Sequence, residues 1–105
     1  MTQIAQFARF VAKDGLGGKV FAALQDASVA AAEEEGTLVY AIHVAPDNPD
    51  IVWMYELYAN TDAQVAHSGS AASARLRAAV GDLLAEPLTV AKGVPTKAFG
   101  LPSAK

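Results

Sequence analysis

Two apolar stretches separated by a polar turn lie in the middle of this sequence. Residues 37–44 and 51–58 are rich in β-branched and aromatic residues, which favour β-strands. Residues 45–50 between them contain Pro, Asp and Asn, which are frequent in turns. The pattern predicts two strands joined as a hairpin. Because Pro46 and Pro49 lack the N–H that a strand ladder uses, we expect the connection to be longer than two residues.

The second predicted strand is largely apolar on both faces. Alternation along a strand places odd-numbered residues on one face of the sheet and even-numbered residues on the other. The odd set is Ile51, Trp53, Tyr55 and Leu57, and the even set is Val52, Met54, Glu56 and Tyr58. A carboxylate on an apolar face is costly unless it is paired or hydrogen-bonded. Glu56 is therefore the first candidate functional residue, with the solvated end of a strand as the alternative interpretation.

Composition excludes several classes of protein. With 52% hydrophobic and 18% charged residues, the 105-residue chain can form the core of one domain. A net charge of −3 with scattered basic residues gives no electrostatic basis for a nucleic-acid or anionic-membrane partner. The absence of cysteine suits a cytoplasmic location, which we expect. No stretch approaches the roughly 20 apolar residues of a membrane span. At the C-terminus we expect a frayed tail over 100–105.

The segments outside the hairpin predict the order of the elements. Residues 3–12 alternate as a strand, and residues 19–34 have helical spacing and end in three glutamates, 33–35, that we interpret as a solvated helix end. A short helix to residue 66 follows Asn60, and a third helix is expected over 72–85. A short last strand is expected over 88–91, and residues 94–99 could extend it.

This order indicates an α+β fold, a ferredoxin-like antiparallel sheet with helices on one face. The face without helices is also apolar, and monomers rarely expose such a surface. We therefore expect a homodimer in which a second copy of the chain covers this face.

The hairpin and the residues after it also carry a family resemblance. The matching pattern comprises residues 35–40, His43, residues 46–50, Tyr55-Glu56 and Ala66-His67. With this pattern the sequence resembles the antibiotic-biosynthesis-monooxygenase (ABM) domain family over nearly its whole length. The resemblance implies a dimeric α+β barrel built from two ferredoxin-like sheets. Many members oxidise dihydroxyaromatic or polyketide substrates with O2 and no cofactor, whereas others degrade haem or are isomerases.

The resemblance also implies the site residues. The family's strand glutamate falls on Glu56, its histidine on His67 and a following serine on Ser70, whereas Ala72 occupies the position of a second family histidine. The haem-degrading members use a helical histidine as iron ligand, and the third predicted helix has none. His43 and His67 also lack metal-ligand spacing. We therefore expect no haem, no metal and no other cofactor.

These observations predict a cofactor-independent monooxygenase acting on a small quinol- or anthrone-type aromatic and O2. His67, interpreted as a loop residue, would serve as the base, because histidine titrates near neutral pH, and Glu56 would orient it or share the proton. A non-enzymatic dimeric binding module and an isomerase of the same family are the alternatives. Only one sheet face can line a given pocket, and we favour the Glu56 face. The predicted substrate-binding residues are Tyr58, Met54, Tyr40, Trp53, Tyr55 and Phe7.

Overall fold

The computed structural model describes residues 2–103 and contains the predicted order of elements. The strands are β1 (Ile4–Val11), β2 (Thr37–Ala45), β3 (Asn48–Tyr58) and β4 (Thr89–Gly93). The helices are α1 (Gly17–Glu33), α2 (Thr61–Ser68) and α3 (Ala71–Val80), and a 3-10 turn, Gly81–Leu83, follows α3. Among the described residues, no helix is both long and apolar enough to cross a membrane.

The sheet has the order β2-β3-β1-β4, and every neighbouring pair of strands is antiparallel. Helices α1 and α3 pack on the face that carries the even-numbered residues of β1 and β3. This arrangement confirms the predicted ferredoxin-like α+β fold. The buried core between helices and sheet comprises Ala8, Phe10, Ala12, Val20, Leu24, Val52, Met54 and Val80.

The hairpin connection is shorter than the sequence predicted. Ala45 pairs with Asn48, so only Pro46 and Asp47 lie between the strands, and the prediction of a longer connection was wrong. The register of the two strands shifts next to Ala45, which leaves Pro49 without a partner on β2. The pairing of β3 with β1 also begins only at Ile51. Because no ladder bond is required at Pro49, its missing N–H is tolerated there.

A carboxylate from β3 stabilises the start of α1. The backbone N–H groups of Gly15 and Gly17 donate to the two carboxylate oxygens of Asp50, at 3.0 and 2.9 Å. A side chain at Gly17 would place its Cβ 2.0 Å from the carbonyl oxygen of Pro49, so only glycine allows this approach. Two backbone donors of the glycine-rich loop are thus used within the protein.

Helix α2 is longer than predicted, and its extension changes the position of the candidate histidine. Asn60 caps the helix as expected, because its Oδ1 accepts a hydrogen bond of 2.9 Å from the N–H of Ala63. The helix continues to Ser68, so His67 lies in its last turn. The prediction of a loop histidine was wrong, since only two residues separate α2 from α3.

The third helix is shorter than predicted, and the last strand covers 89–93 instead of 88–91. Helix α3 ends at Val80, where the backbone tightens into the 3-10 turn, and β4 ends at Gly93 without the extension over 94–99. Pro95 lacks the N–H that a continued ladder would require. Gln3 Nε2 donates to the carbonyl of Pro102 at 2.9 Å. The tail expected over 100–105 lies partly outside the described residues, which end at 103.

The face of the sheet opposite the helices carries a row of aromatic side chains. Phe7 and Trp53 are each 45% exposed, and Tyr55 stacks on Phe7 with ring centroids 5.6 Å apart. The Arg9 guanidinium lies 5.6 Å from the centre of the Trp53 ring and forms a 3.0 Å ion pair with Glu86. These side chains form the surface of the sheet on the side without helices.

Candidate active site

One row of polar side chains crosses the sheet on its helix-covered side. In the strand register, Tyr40 of β2 is opposite Glu56 of β3, Glu56 is opposite Gln6 of β1, and Gln6 is opposite Lys92 of β4. All four side chains line the same cavity. Because side chains of residues directly opposite one another in a sheet point to the same face, each of the four strands contributes one residue to this site.

Helix α2 holds the imidazole of His67 between two carboxylates. Its Nδ1 lies 2.7 Å from Oε1 of Glu34, and its Nε2 lies 3.5 Å from Oε1 of Glu56. The same Oε1 of Glu34 accepts a 2.7 Å hydrogen bond from the Thr37 hydroxyl. Only 14% of the His67 side chain is exposed. The imidazole is thus hydrogen-bonded through Nδ1 and faces Glu56 through Nε2, in a largely water-excluded position.

Glu34 is a site residue that the sequence analysis missed. We interpreted glutamates 33–35 as a solvated helix end, and for Glu34 that interpretation was wrong. Glu34 is the C-cap of α1 and leaves the helical conformation with ψ 117°, and its carboxylate contacts Thr37 and His67. No spacing rule connects Glu34 with a histidine 33 residues later, so the sequence carried no direct signal of this contact.

The close packing of α2 against the turn after α1 positions His67. A Cβ added at Gly36 would lie 2.4 Å from the Cβ of Ala63, one turn before His67. Gly36 has no positive φ, so the constraint here is space rather than backbone conformation. Ser73 adds a second restraint, because its hydroxyl donates to the carbonyl of His67 at 2.7 Å.

Glu56 is 5% exposed, and hydrogen-bond donors surround its carboxylate. The hydroxyl of Tyr58 donates a hydrogen bond to Oε1. Gln6 Nε2 lies 3.5 Å from both carboxylate oxygens, and Gln6 Oε1 accepts a hydrogen bond of 3.1 Å from Gln64. These donors offset the free-energy cost of burying the carboxylate.

The two tyrosines of the site are held in the protonated state. Burial, together with the negative charge of Glu56 and its hydrogen bond, raises the pKa of Tyr58 far above the usual value for a phenol. Burial, followed by the charges of Glu56 and Glu34, likewise raises the pKa of Tyr40. Both hydroxyls can therefore donate hydrogen bonds at physiological pH but cannot act as bases.

A cavity of about 260 Å³ opens beside Glu56 and His67. Its volume is slightly below the range of about 300–1,000 Å³ typical of pockets for drug-sized ligands, which suits a compact molecule. Two cations, Arg77 of α3 and Lys92 of β4, lie on its wall. The apolar part of the lining comprises Phe10, Leu76, Leu88 and Val90.

A larger depression of about 710 Å³ lies between the two ends of the chain. None of its lining side chains is titratable, so the depression offers no acid or base for chemistry. It is lined by Thr2, Gln3, Ala59, Asn60, Val94, Pro95, Leu101, Pro102 and Ser103.

Comparisons with known proteins agree with this architecture. The family model described as antibiotic biosynthesis monooxygenase (ABM) matches residues 3–79, which is more than half of the chain. This chain belongs to the antibiotic biosynthesis monooxygenase family. No curated protein matches the ABM chain.

Solved structures share the fold of this ABM chain. Rv0793 from Mycobacterium tuberculosis is 26% identical, with a TM-score of 0.86 over 93% of this chain and 99% of that one. A candidate antibiotic biosynthesis monooxygenase from Nitrosomonas europaea is 21% identical, with a TM-score of 0.82 over 86% and 95% of the two chains. Protein SO0527 from Shewanella oneidensis is 24% identical, with a TM-score of 0.82 over 89% and 90%.

The structure brings three of the predicted site residues of the ABM chain together. Glu56, His67 and Tyr40 line the cavity. Tyr58 is fully buried and reaches Glu56 through its hydroxyl, and Met54 lies in the core. The other three predicted residues lie on the opposite face of the sheet, as strand alternation requires, and these are Trp53, Tyr55 and Phe7.

The serine implied by the resemblance has a structural contact in the ABM chain. Ser70 caps α3, since its Oγ accepts a hydrogen bond of 3.1 Å from the N–H of Ser73. Ser73 itself lines the cavity. Among the described residues, no group of three or more His, Asp or Glu side chains is arranged to hold a metal ion. Around His67, each ring nitrogen instead faces a different carboxylate.

Proposed function

We propose that this protein is a cofactor-independent monooxygenase that oxidises a compact quinol- or anthrone-type aromatic with O2. The observation that carries the proposal is the imidazole of His67, held between the carboxylates of Glu34 and Glu56 on the wall of a partly apolar cavity. An imidazole with one nitrogen engaged by a carboxylate and the other at a cavity is the usual arrangement of a general base.

The reaction needs no external reductant. A deprotonated phenol or anthrone transfers an electron to O2, and the two radicals combine to form a C–O bond. For an anthrone, the attacked carbon loses two hydrogens, one oxygen atom becomes the new carbonyl, and the other leaves as water. The substrate supplies all four electrons. The protein must therefore remove a proton, hold the resulting anion and limit the access of water.

The contacts assign a distinct role to each side chain. Because the Glu34 carboxylate can only accept a hydrogen bond, it favours the tautomer of His67 that carries its proton on Nδ1. The lone pair of Nε2 is then available for the substrate proton, and Glu56 stabilises the imidazolium that forms. The protonated hydroxyl of Tyr40 is a donor for the developing oxyanion.

The competing interpretation is a binding module without activity. If the protein only binds a ligand, the affinity should not change when the imidazole is separated from its carboxylates, provided that the cavity keeps its shape. An open cavity that Glu56 and His67 both line supports the enzymatic proposal.

Oxygen uptake with a panel of anthrones and dihydroxyaromatics, in metal-free buffer and 18-O2, tests the proposal. A monooxygenation places one labelled oxygen atom in the quinone product. A simple two-electron oxidation of the substrate, in which O2 is reduced to hydrogen peroxide, places none. We expect His67→Ala to lower turnover about 10²–10⁴-fold. His43→Ala is the matched control, because His43 is exposed on β2 and does not line the cavity. If no compound is oxidised faster than in buffer alone, or if His67→Ala is fully active, the proposal is wrong.

We also propose that the aromatic face of the sheet pairs with a second copy of the chain. Phe7 and Trp53 are nearly half exposed, and the aromatic row extends across β1 and β3. Soluble monomers rarely leave a contiguous apolar patch of this kind in water. The proposed homodimer would leave the cavity free, because the cavity opens on the helix-covered side.

A further inference from the structure

The cavity carries opposite charges on different parts of its wall. Glu56 and His67 line it together with Arg77 and Lys92, and Lys92 lies two strands away from Glu56. We infer that the ligand is a hydroxyaromatic molecule that carries an anionic group, such as a carboxylate, at the end opposite its hydroxyl. This inference rests on the proposed function, because it takes the Glu56 end as the place where the hydroxyl binds.

Neither cation is neutralised by the protein. Within residues 2–103, no carboxylate lies within ion-pair distance of Arg77 or Lys92. Arg77 uses one guanidinium nitrogen to donate to the carbonyl of Ser68 at 3.3 Å, which leaves its other N–H groups available. A guanidinium from α3 and an ammonium from β4, both on the lining of one cavity, offer several charge-assisted hydrogen bonds to a carboxylate.

The strand register sets the separation of the two ends. Lys92 and Glu56 occupy the same transverse row, with Gln6 between them. Adjacent strands are about 4.8 Å apart, so the two backbone positions are separated by about 10 Å. Two or three fused rings span such a gap, and the apolar residues Phe10 and Val90 line the same cavity.

The charges also determine which way round the ligand binds. An anion beside His67 would meet the carboxylate of Glu56 on the cavity lining, and like charges at short range repel. At Lys92, two strands away from Glu56, it would meet a cation. A ligand with one hydroxyl and one carboxylate therefore places its hydroxyl at His67.

Calorimetric binding of two matched probes tests the inference without turnover. The probes are 6-hydroxy-2-naphthoic acid and the corresponding neutral amide, which share ring system and hydroxyl. Neither is a quinol or an anthrone, and titration in anaerobic buffer measures binding without oxidation. We expect the acid to bind at least about 10-fold more tightly than the amide at low ionic strength, and less so in high salt.

Variants then locate the anion site. We expect Arg77→Gln and Lys92→Gln each to weaken binding of the acid by about 3- to 10-fold and to leave binding of the amide unchanged. Arg75→Gln is the matched control, because Arg75 lies on the same helix but does not line this cavity. It should change neither affinity.

Several results would overturn the inference. These are equal binding of acid and amide, equal weakening of both probes by Arg77→Gln and Lys92→Gln, an effect of Arg75→Gln as large as theirs, or no binding of either probe at millimolar concentration. Equal weakening is the result expected if the cations only balance the charge of Glu56. Because the probes report binding alone, the inference can hold while the oxidation test fails, and the two failures are distinguishable.

Discussion

Replacing Glu34 by alanine tests whether this residue sets the protonation pattern of His67. Oε1 of Glu34 accepts hydrogen bonds of 2.7 Å from both the His67 ring and the Thr37 hydroxyl. Glutamine would be a poor test, because its amide oxygen can take the place of Oε1 and accept both bonds. In Glu34→Ala, the remaining carboxylate at the ring is Glu56, 3.5 Å from Nε2, so the proton moves to Nε2. The nitrogen at the cavity can then no longer accept a proton.

The contacts give the expected magnitudes. A hydrogen bond to a charged group contributes about 1.5–3 kcal/mol. The Glu34 and His67 side chains are 27% and 14% exposed, and solvent weakens such pairs. We therefore expect the free energy of unfolding to fall by only about 1–2 kcal/mol. Loss of a positioned base typically lowers the rate by about 10²–10⁴-fold. We therefore expect a large loss of turnover in a protein that is still folded.

The assay is long-range proton–nitrogen NMR of the imidazole rings at a pH where histidine is neutral. The chain has only two histidines, and exposed His43 serves as the internal reference. We expect the Nδ1-protonated tautomer of His67 in the parent and the Nε2-protonated tautomer in Glu34→Ala. Glu33→Ala and Glu35→Ala are matched controls, because both side chains are exposed. An unchanged tautomer in Glu34→Ala, or the same change in either control, would refute the positioning role.

Three further predictions follow from packing, pKa and the exposed face. Gly36→Ala should lower the free energy of unfolding by about 1–3 kcal/mol in urea titrations, because its Cβ would clash with Ala63, and adding Ala63→Gly should restore it. The raised pKa values of Tyr58 and Tyr40 mean that the unfolded chain releases protons above about pH 10 that the folded chain keeps. The free energy of unfolding should be constant below that pH and fall above it by about 1.4 kcal/mol per pH unit for each tyrosine. Tyr58→Phe should remove the contribution of one tyrosine to this slope. An equal slope in the parent and in Tyr58→Phe would contradict this. Trp53 is the single tryptophan, so dilution of the proposed dimer should shift its fluorescence to the red as sedimentation reports monomer, and a monomer at micromolar concentration would count against the dimer.

Local patterns in the sequence were sufficient for the fold and for the two faces of β3. Strand alternation alone separates Glu56 from Trp53 and Tyr55, because successive side chains of a strand point to opposite faces. The turn residues and helical periodicity give the order of the elements, which permits few topologies. The family resemblance, carried by the hairpin and His67, agrees with the ABM assignment.

Tertiary packing decided the ends of elements and the partners of the site. The two-residue hairpin connection depends on a register shift at Ala45, and the start of α1 depends on Asp50 of another element. The contact between Glu34 and His67 depends on how closely α2 approaches the turn after α1, which Gly36 permits. Periodicity records which face of an element is buried, but it carries no information about which side chains of different elements meet. The sequence therefore determined the face on which Glu56 lies, and only the packing of α1 and α2 over that face brought a second carboxylate to His67.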